Sequence, residues 1–238
     1  MFNSYYASLG KPFDRSKRGL LTRPSFAEVL AYREEIDGSM AALFEDARGW
    51  DDDAIASLCA FVDLGLQHEQ QHQELILSDI QHLFSESPLS PVYCDGPATR
   101  EAACHAGSID REPEWRGYAG GVVSIGAGDG FCYDNETPAH DILLRPFELS
   151  SSLVTNREWL SFMDDGGYAK RELWLDAGWW AEQEHGWHAP LYWRRSDAGW
   201  SAFSLAGERP LDPDAPVAHV SFFEAEAFAR WRGARLPT

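Results

Sequence analysis

A helical repeat of apolar residues covers the first third of the sequence and restricts what the chain can fold into. Ser25 is a typical helix N-cap, and Glu28 three residues later completes a capping-box pattern at the start of residues 25–47. A longer segment opens with three aspartates after Trp50 and stops before Ser85, because Pro88 bars a helix from continuing. Its apolar residues recur at helical spacing: Ile55, Leu58, Val62, Leu66, Ile76, Ile80 and Leu83. The pattern predicts two amphipathic helices of a bundle, which two helices alone cannot close.

Tryptophan divides the chain into two parts. Trp50 is the only one in the first 110 residues, and the other nine lie between Trp115 and Trp231. We therefore predict an α+β protein, with a helical bundle over residues 1–92, a linker over 93–117 and a loop-rich domain over 118–238.

Short elements are predicted inside the second domain. Residues 120–126 and 142–144 have the composition of strands between turns, and Ser221 opens a last helix that ends before Gly233. Residues 168–200 are dense in tryptophan, glycine and proline without a clear period, which predicts a loop-rich α+β domain held by aromatic packing.

Composition excludes several classes of function. Asp and Glu number 38 against 20 Lys and Arg, a net charge of −18, whereas nucleic-acid binding needs a basic surface. No apolar stretch approaches a membrane span, and the N-terminus has no signal-peptide pattern. The four cysteines form no CxxC pair, which predicts reduced thiols in a cytoplasmic protein. We expect small-molecule substrates, and a few placed Arg residues must hold any anionic one.

The strongest chemical signal is a histidine pair in the second helix. His68 and His72 are four residues apart, so both imidazoles can reach one metal ion from one helix face. The string also reads HExxH with Glu69 as a protease base, but the extended zinc-protease pattern does not follow. A helix that merely contains two histidines is the remaining alternative, although the glutamines around them form a polar cluster that suggests a functional role.

Four segments in fixed order support a family resemblance. In chain order they are Arg18 to Pro24 (RGLLTRP), the histidine helix, Phe131 to His140 (FCYDNETPAH), and a last group of Val154-Thr155-Asn156, Pro216-Val217 and Gly233 to Thr238 (GARLPT). In this order they resemble the iron(II)-dependent sulfoxide synthases of ergothioneine biosynthesis.

The resemblance implies both a fold and a reaction. It implies a DinB-like helical bundle followed by a C-type-lectin-like, sulfatase-modifying-factor domain, with the active site between them. Three histidines would bind Fe(II) and leave positions for a thiolate and O2, as oxygen-activating sites require. The reaction would join hercynine (trimethylhistidine) to cysteine or γ-glutamylcysteine through a carbon–sulfur bond, with oxidation to the sulfoxide.

The resemblance also assigns roles to residues. His68 and His72 become two iron ligands, and Gln71 becomes a contact to hercynine. Arg15 and Arg18 become anchors for the carboxylates of the thiol substrate, with ordinary surface charge as the alternative.

The sequence also departs from the family pattern. No histidine precedes His68, so the third ligand is expected upstream of Met1, and the catalytic tyrosine is expected beyond Thr238. We therefore expect a fragment of a larger enzyme. A selenoneine-forming relative, a non-catalytic binding module and a formylglycine-generating enzyme remain alternatives.

Overall fold

Two helices open the part of the chain that the structure, a computed structural model, describes: residues 24–94, 114–128 and 130–237. α1 spans Phe26–Asp46, a 3-10 turn follows at Ala47–Gly49, and α2 spans Asp52–Ser85. At the start of α1, the Ser25 hydroxyl accepts a hydrogen bond from the Glu28 N–H at 3.3 Å. The Glu28 carboxylate accepts one from the Ser25 N–H at 2.8 Å. Both predicted helices and the predicted cap are confirmed.

The described residues form two compact units that divide within α2, between Gly65 and Leu66. In the first unit, α1 buries none of its residues against the described part of the chain. Its apolar side chains are exposed, among them Phe26, Val29, Tyr32, Ile36 and Met40. The amphipathic helices are therefore present, while the DinB-like bundle stays a prediction.

Each of the described helices is too short or too polar to cross a bilayer.

Four strands of the second unit form two antiparallel pairs. β1 (Trp115–Tyr118) pairs with β4 (Phe147–Ser150), and β2 (Gly121–Ile125) pairs with β3 (His140–Leu144). The turn into β2 requires Gly120, because its φ is 72° and a Cβ atom there would lie 2.4 Å from the Leu144 carbonyl oxygen. The two predicted strands are thus confirmed, and β1 falls in the last part of the predicted linker.

The rest of the second unit combines three helices with a three-stranded sheet. The helices are α3 (Asn156–Asp164), α4 (Asp176–His185) and α5 (Phe222–Trp231). The antiparallel sheet has the order β5 (Trp193–Ser196), β6 (Gly199–Ser204) and β7 (Gly207–Pro210). α5 confirms the predicted last helix, and Gly233 after it has a φ of 72°.

Residues 168–200, for which the sequence predicts no individual element, contain a helix and part of a sheet. This span contains α4 and the start of the β5–β6 hairpin. α4 begins after Leu175, which makes no side-chain cap, and the residues it buries are Gly178 and Glu182. A helix without a polar cap or a buried apolar stripe leaves little periodic signal in its sequence. α4 lies so close to α5 that a Cβ atom at Gly178 would come within 2.6 Å of the Phe223 Cβ.

The core of the second unit is aromatic, as predicted. Trp159 stacks on Phe228 with ring centroids 5.0 Å apart, and Phe162 packs edge-on against Trp159 at 5.4 Å. Phe162 is completely buried. Tyr168, Trp174 and Ala227 complete the buried cluster, which joins α3 to α5.

The described chain is therefore α+β, with its helices and strands largely separate along the sequence. Most of the predicted linker lies outside the described residues, so the boundaries at 92 and 118 stay predictions.

Candidate functional site

The predicted histidine pair comes together on one face of α2. The ring centroids of His68 and His72 are 4.5 Å apart, and the ring planes are inclined by 69°. Both side chains are exposed. The geometry follows from the helix, because residues four apart are separated by about 40° around the axis and about 6 Å along it.

Two imidazoles at this separation fit adjacent positions of a metal such as iron. Among the described residues, no group of three His, Cys, Asp or Glu side chains is close enough to hold an ion. The described part of the chain therefore contains two neighbouring imidazoles and no third candidate ligand beside them.

Of the three other predicted site residues, only Gln71 lies in the part of the chain that the structure describes. Gln71 is exposed on α2 and lies about 60° around the axis from His68, so it borders the same face. Arg15 and Arg18 lie outside the described residues, so their predicted contacts with substrate carboxylates remain predictions.

A second polar cluster, which the sequence did not predict, lies further along α2. We call Gln81, His82, Tyr192 and His219 the docking cluster. The Gln81 Nε2 and His219 Nε2 atoms are 3.1 Å apart, and the Tyr192 hydroxyl lies 3.3 Å from His82 Nδ1. The Tyr192 and His219 rings meet edge to face with centroids 4.8 Å apart. The cluster joins α2 to two loops that lie more than 100 residues away in sequence.

Burial changes the titration of two members of the docking cluster. Desolvation raises the pKa of the Tyr192 hydroxyl, and the charge of Glu86 raises it further. Desolvation lowers the pKa of His219. Both shifts favour the neutral side chains, and a neutral imidazole can accept a hydrogen bond from the Gln81 amide.

Arg194 holds the end of α2 beside the docking cluster. Its guanidinium donates to the Ser85 carbonyl oxygen at 2.6 Å and to the Glu208 carboxylate at 2.8 Å, and it lies 5.4 Å from the centroid of the Phe203 ring. The hydrogen bonds from Ser201 and Arg194 lower the pKa of Glu208. A cation at the last carbonyls also interacts favourably with the helix dipole.

An open cleft of about 1170 Å³ lies elsewhere in the second unit, between the β1–β4 pair and helices α3 and α5. Its walls include Trp115, Leu149, Trp159 and Phe228. The described lining contains neither the histidine pair nor any member of the docking cluster, so we do not place the candidate chemistry there.

Comparison with known proteins supports the resemblance. Residues 109–238 match the sulfatase-modifying factor enzyme 1-like domain. The hercynine oxygenase of Mycobacterium tuberculosis is 39% identical over 73% of this chain, and that of Mycolicibacterium thermoresistibile is 40% identical over 73%. The formylglycine-generating enzyme of Streptomyces coelicolor is 34% identical over 58% of the chain and 49% of its own length.

The two mycobacterial relatives are much longer than this chain. The chain spans 39% of the length of the first and 37% of the second. The matches confirm the resemblance to the sulfoxide synthases of ergothioneine biosynthesis that the motifs predict. Because the domain match covers more than half of its residues, the chain belongs to the sulfatase-modifying factor enzyme 1-like family.

Proposed function

We propose that this chain carries part of an oxidoreductase that acts on hercynine in ergothioneine biosynthesis. The observation that carries the proposal is that the region of the chain similar to the hercynine oxygenases includes the histidine pair. A continuous match over 73% of a 238-residue chain includes residues 68 and 72 wherever it begins. The match to the formylglycine-generating enzyme covers 58% of the chain and need not reach α2.

The finer chemistry follows from the donor set and the resemblance. We propose that His68 and His72 hold Fe(II), which supplies the activation of O2 when it is bound. Both imidazoles must be neutral to coordinate, and their exposure on α2 leaves room for a further ligand and for substrates.

The remaining site residues would bind and orient the substrates. Gln71 borders the face of the pair, where its amide can hold hercynine beside the metal. Arg15 and Arg18 would bind the carboxylates of cysteine or γ-glutamylcysteine, because guanidinium groups pair with carboxylates through two hydrogen bonds. The product would be the carbon–sulfur adduct of the two substrates, as its sulfoxide.

Anaerobic titration with Fe(II) tests the metal site. We expect the 238-residue chain to bind one equivalent, and we expect His72→Ala to lose this binding. His188→Ala is the matched control, because His188 is not part of α2 and its ring contacts the Gly186 carbonyl at 3.0 Å. Equal binding by the wild type and His72→Ala would overturn the assignment of the pair.

Measurements of hercynine affinity distinguish the proposed enzyme from a non-catalytic binding module. We expect hercynine to bind more tightly when Fe(II) is present, and Gln71→Leu to remove most of that gain. A hercynine affinity that changes neither with Fe(II) nor with Gln71→Leu would favour the non-catalytic binding module. Mass spectrometry of the aerobic reaction with cysteine or γ-glutamylcysteine would then identify the thiol donor.

A further inference from the structure

Two residues of the docking cluster have a backbone conformation that side chains of their kind rarely adopt. Tyr192 has a φ of 72° and His219 a φ of 61°, both in the left-handed region. The two loops are joined by a hydrogen bond from the Leu191 N–H to the His219 carbonyl oxygen at 3.1 Å. Such conformations carry an energetic cost and are concentrated where function requires a fixed geometry.

Both of these side chains are directed at the same turn of α2. Tyr192 contacts His82, and His219 contacts the neighbouring residue Gln81. A helix can be held at its end by Arg194 alone, through the Ser85 carbonyl. The docking cluster adds contacts one turn earlier, and two attachment points along a helix fix its direction where one would leave it free to pivot.

We propose that the docking cluster is a positioning contact that sets the direction of the histidine-bearing part of α2 on the tryptophan-rich region, residues 114–237. His68 and His72 lie on the same continuous helix, so their positions follow the direction of residues 81–85. The meaning of this contact for catalysis rests on the proposed function, in which His68 and His72 hold the metal ion.

The contact also has a defined chemical requirement. With the Gln81 amide nitrogen facing His219 Nε2, the imidazole accepts the hydrogen bond and must be neutral. Glu86 faces Tyr192, and His82 is the other titratable group at the contact. Replacement of Gln81 by Glu keeps a partner for His219 once the imidazole changes tautomer and donates its Nε2–H to the carboxylate, whereas Leu removes the partner.

A distance measurement tests the proposal without any need for activity. We expect the native pair at positions 68 and 72 to bind Cu(II)–iminodiacetate, because the two imidazoles are one helical turn apart. Cys132 takes a nitroxide after Cys59, Cys94 and Cys104 are replaced by Ser. Electron paramagnetic resonance then gives the distance distribution between the copper and the nitroxide. His68→Ala identifies the signal that arises from copper on the pair.

We expect a single narrow distribution in the parent protein. In the double variant Gln81→Leu, Tyr192→Phe it should shift or roughly double in width, because α2 then samples several directions. Gln81→Glu should stay close to the parent. The matched controls are Gln183→Leu and Tyr32→Phe, which make the same changes at exposed positions outside the docking cluster and should leave the distribution unchanged.

Hydrogen exchange gives a second measurement that needs no probe. In the double variant, the amides of residues 77–85 should exchange about tenfold faster, while the aromatic core keeps its protection. Unchanged exchange together with an unchanged distance distribution would overturn the proposal. If the parent protein failed to bind Fe(II) while its distance distribution was narrow and widened in the double variant, the proposed function would be overturned. The positioning contact would still stand.

Discussion

Three helices of this protein begin with the same local device, yet only two of them bury a face. α1, α3 and α5 each start with a capping box, formed by Ser25 with Glu28, Thr155 with Glu158, and Ser221 with Glu224. α3 buries Asn156, Trp159 and Phe162, and α5 buries Glu224, Ala227, Phe228 and Ala229. α1 buries none of its residues against the described part of the chain.

The difference separates what a helix can specify alone from what it needs a partner to specify. A capping box satisfies backbone N–H groups at the helix start, and these groups lie within a few residues of the cap. Burial requires an opposing surface, which α3 and α5 provide for each other through Trp159 and Phe228. Stability should therefore depend strongly on the α3–α5 contact and weakly on the apolar face of α1.

The largest effect is expected at the centre of the α3–α5 contact. Phe162→Ala removes a side chain that is 0% exposed and packed among four aromatic rings. We expect a loss of about 3–5 kcal/mol in the free energy of unfolding, measured in urea by near-ultraviolet circular dichroism. Phe222→Ala is the control, because Phe222 is 61% exposed and should change this free energy by less than about 1 kcal/mol. Equal losses in the two variants would contradict the assigned core.

A smaller effect is expected at the cap of α5. Ser221 accepts a hydrogen bond from the Glu224 N–H at 3.2 Å, and Ser221→Ala removes it. We expect a loss of about 1 kcal/mol in global stability, because α5 is part of the core. Ser25→Ala makes the same change in α1, where we expect reduced helix content near residue 25 and no change in the unfolding of the aromatic core. A shared loss of core stability would show that α1 belongs to the same cooperative unit.

A substitution on the apolar face of α1 tests directly whether this helix lacks the packing that α3 and α5 have. Ile36 is 40% exposed, so Ile36→Ala should change the free energy of unfolding by no more than about 0.5 kcal/mol in the 238-residue chain. A loss above about 2 kcal/mol would mean that this face is packed in solution.

The smallest effect concerns pH and His219. Its pKa is lowered in the folded state, so the unfolded chain takes up a proton first as the pH falls below about 6.5. Stability from this group is therefore complete above about pH 6.5 and is lost as the pH falls towards the lowered folded-state pKa. The free energy of unfolding in urea should therefore fall between about pH 7.5 and pH 5, and the slope of this fall is the measured quantity. His219→Asn, which tolerates a positive φ, should reduce the slope. A slope that His219→Asn leaves unchanged would contradict the assignment.

Carboxylates affect stability at lower pH than His219 does, so the two contributions can be measured separately. Hydrogen bonds from Ser201 and Arg194 lower the pKa of Glu208, so its contribution is present above the ordinary carboxylate pKa of about 4.3 and is lost below it. Ser201→Ala should weaken that acidic part of the curve without changing the part that belongs to His219.

The sequence predicts those parts of the fold whose causes are local. The starts of α1 and α5 follow from side chains three residues apart, and the end of α2 follows from Pro88. α4 is missed because its burial depends on the approach of Gly178 to Phe223 rather than on an apolar stripe. The same rule holds at the candidate site, where His68 and His72 are brought together by one turn of helix.

The docking cluster lies beyond sequence-based prediction for two physical reasons. Its pairs join residues separated by 138 and 110 positions, a distance over which no periodicity operates. The positive φ of Tyr192 and His219 also cannot be predicted from the residue types, since Tyr rarely adopts it and His, although enriched there, adopts it only in a minority of cases. Asn or Gly at these positions would have been a visible signal, whereas Tyr and His are not.

The length of α2 gives its attachment an additional consequence. A helix of 34 residues is about 51 Å long, and His68 lies 13 residues, or about 20 Å, from Gln81. The helix therefore acts as a lever arm, in which a tilt of about 10° at the docking cluster moves His68 by about 3 Å. Such a displacement exceeds the tolerance of about 1 Å within which bound reactants keep their productive geometry. Angular precision at the docking cluster thus sets the positional precision of the histidine pair about 20 Å away.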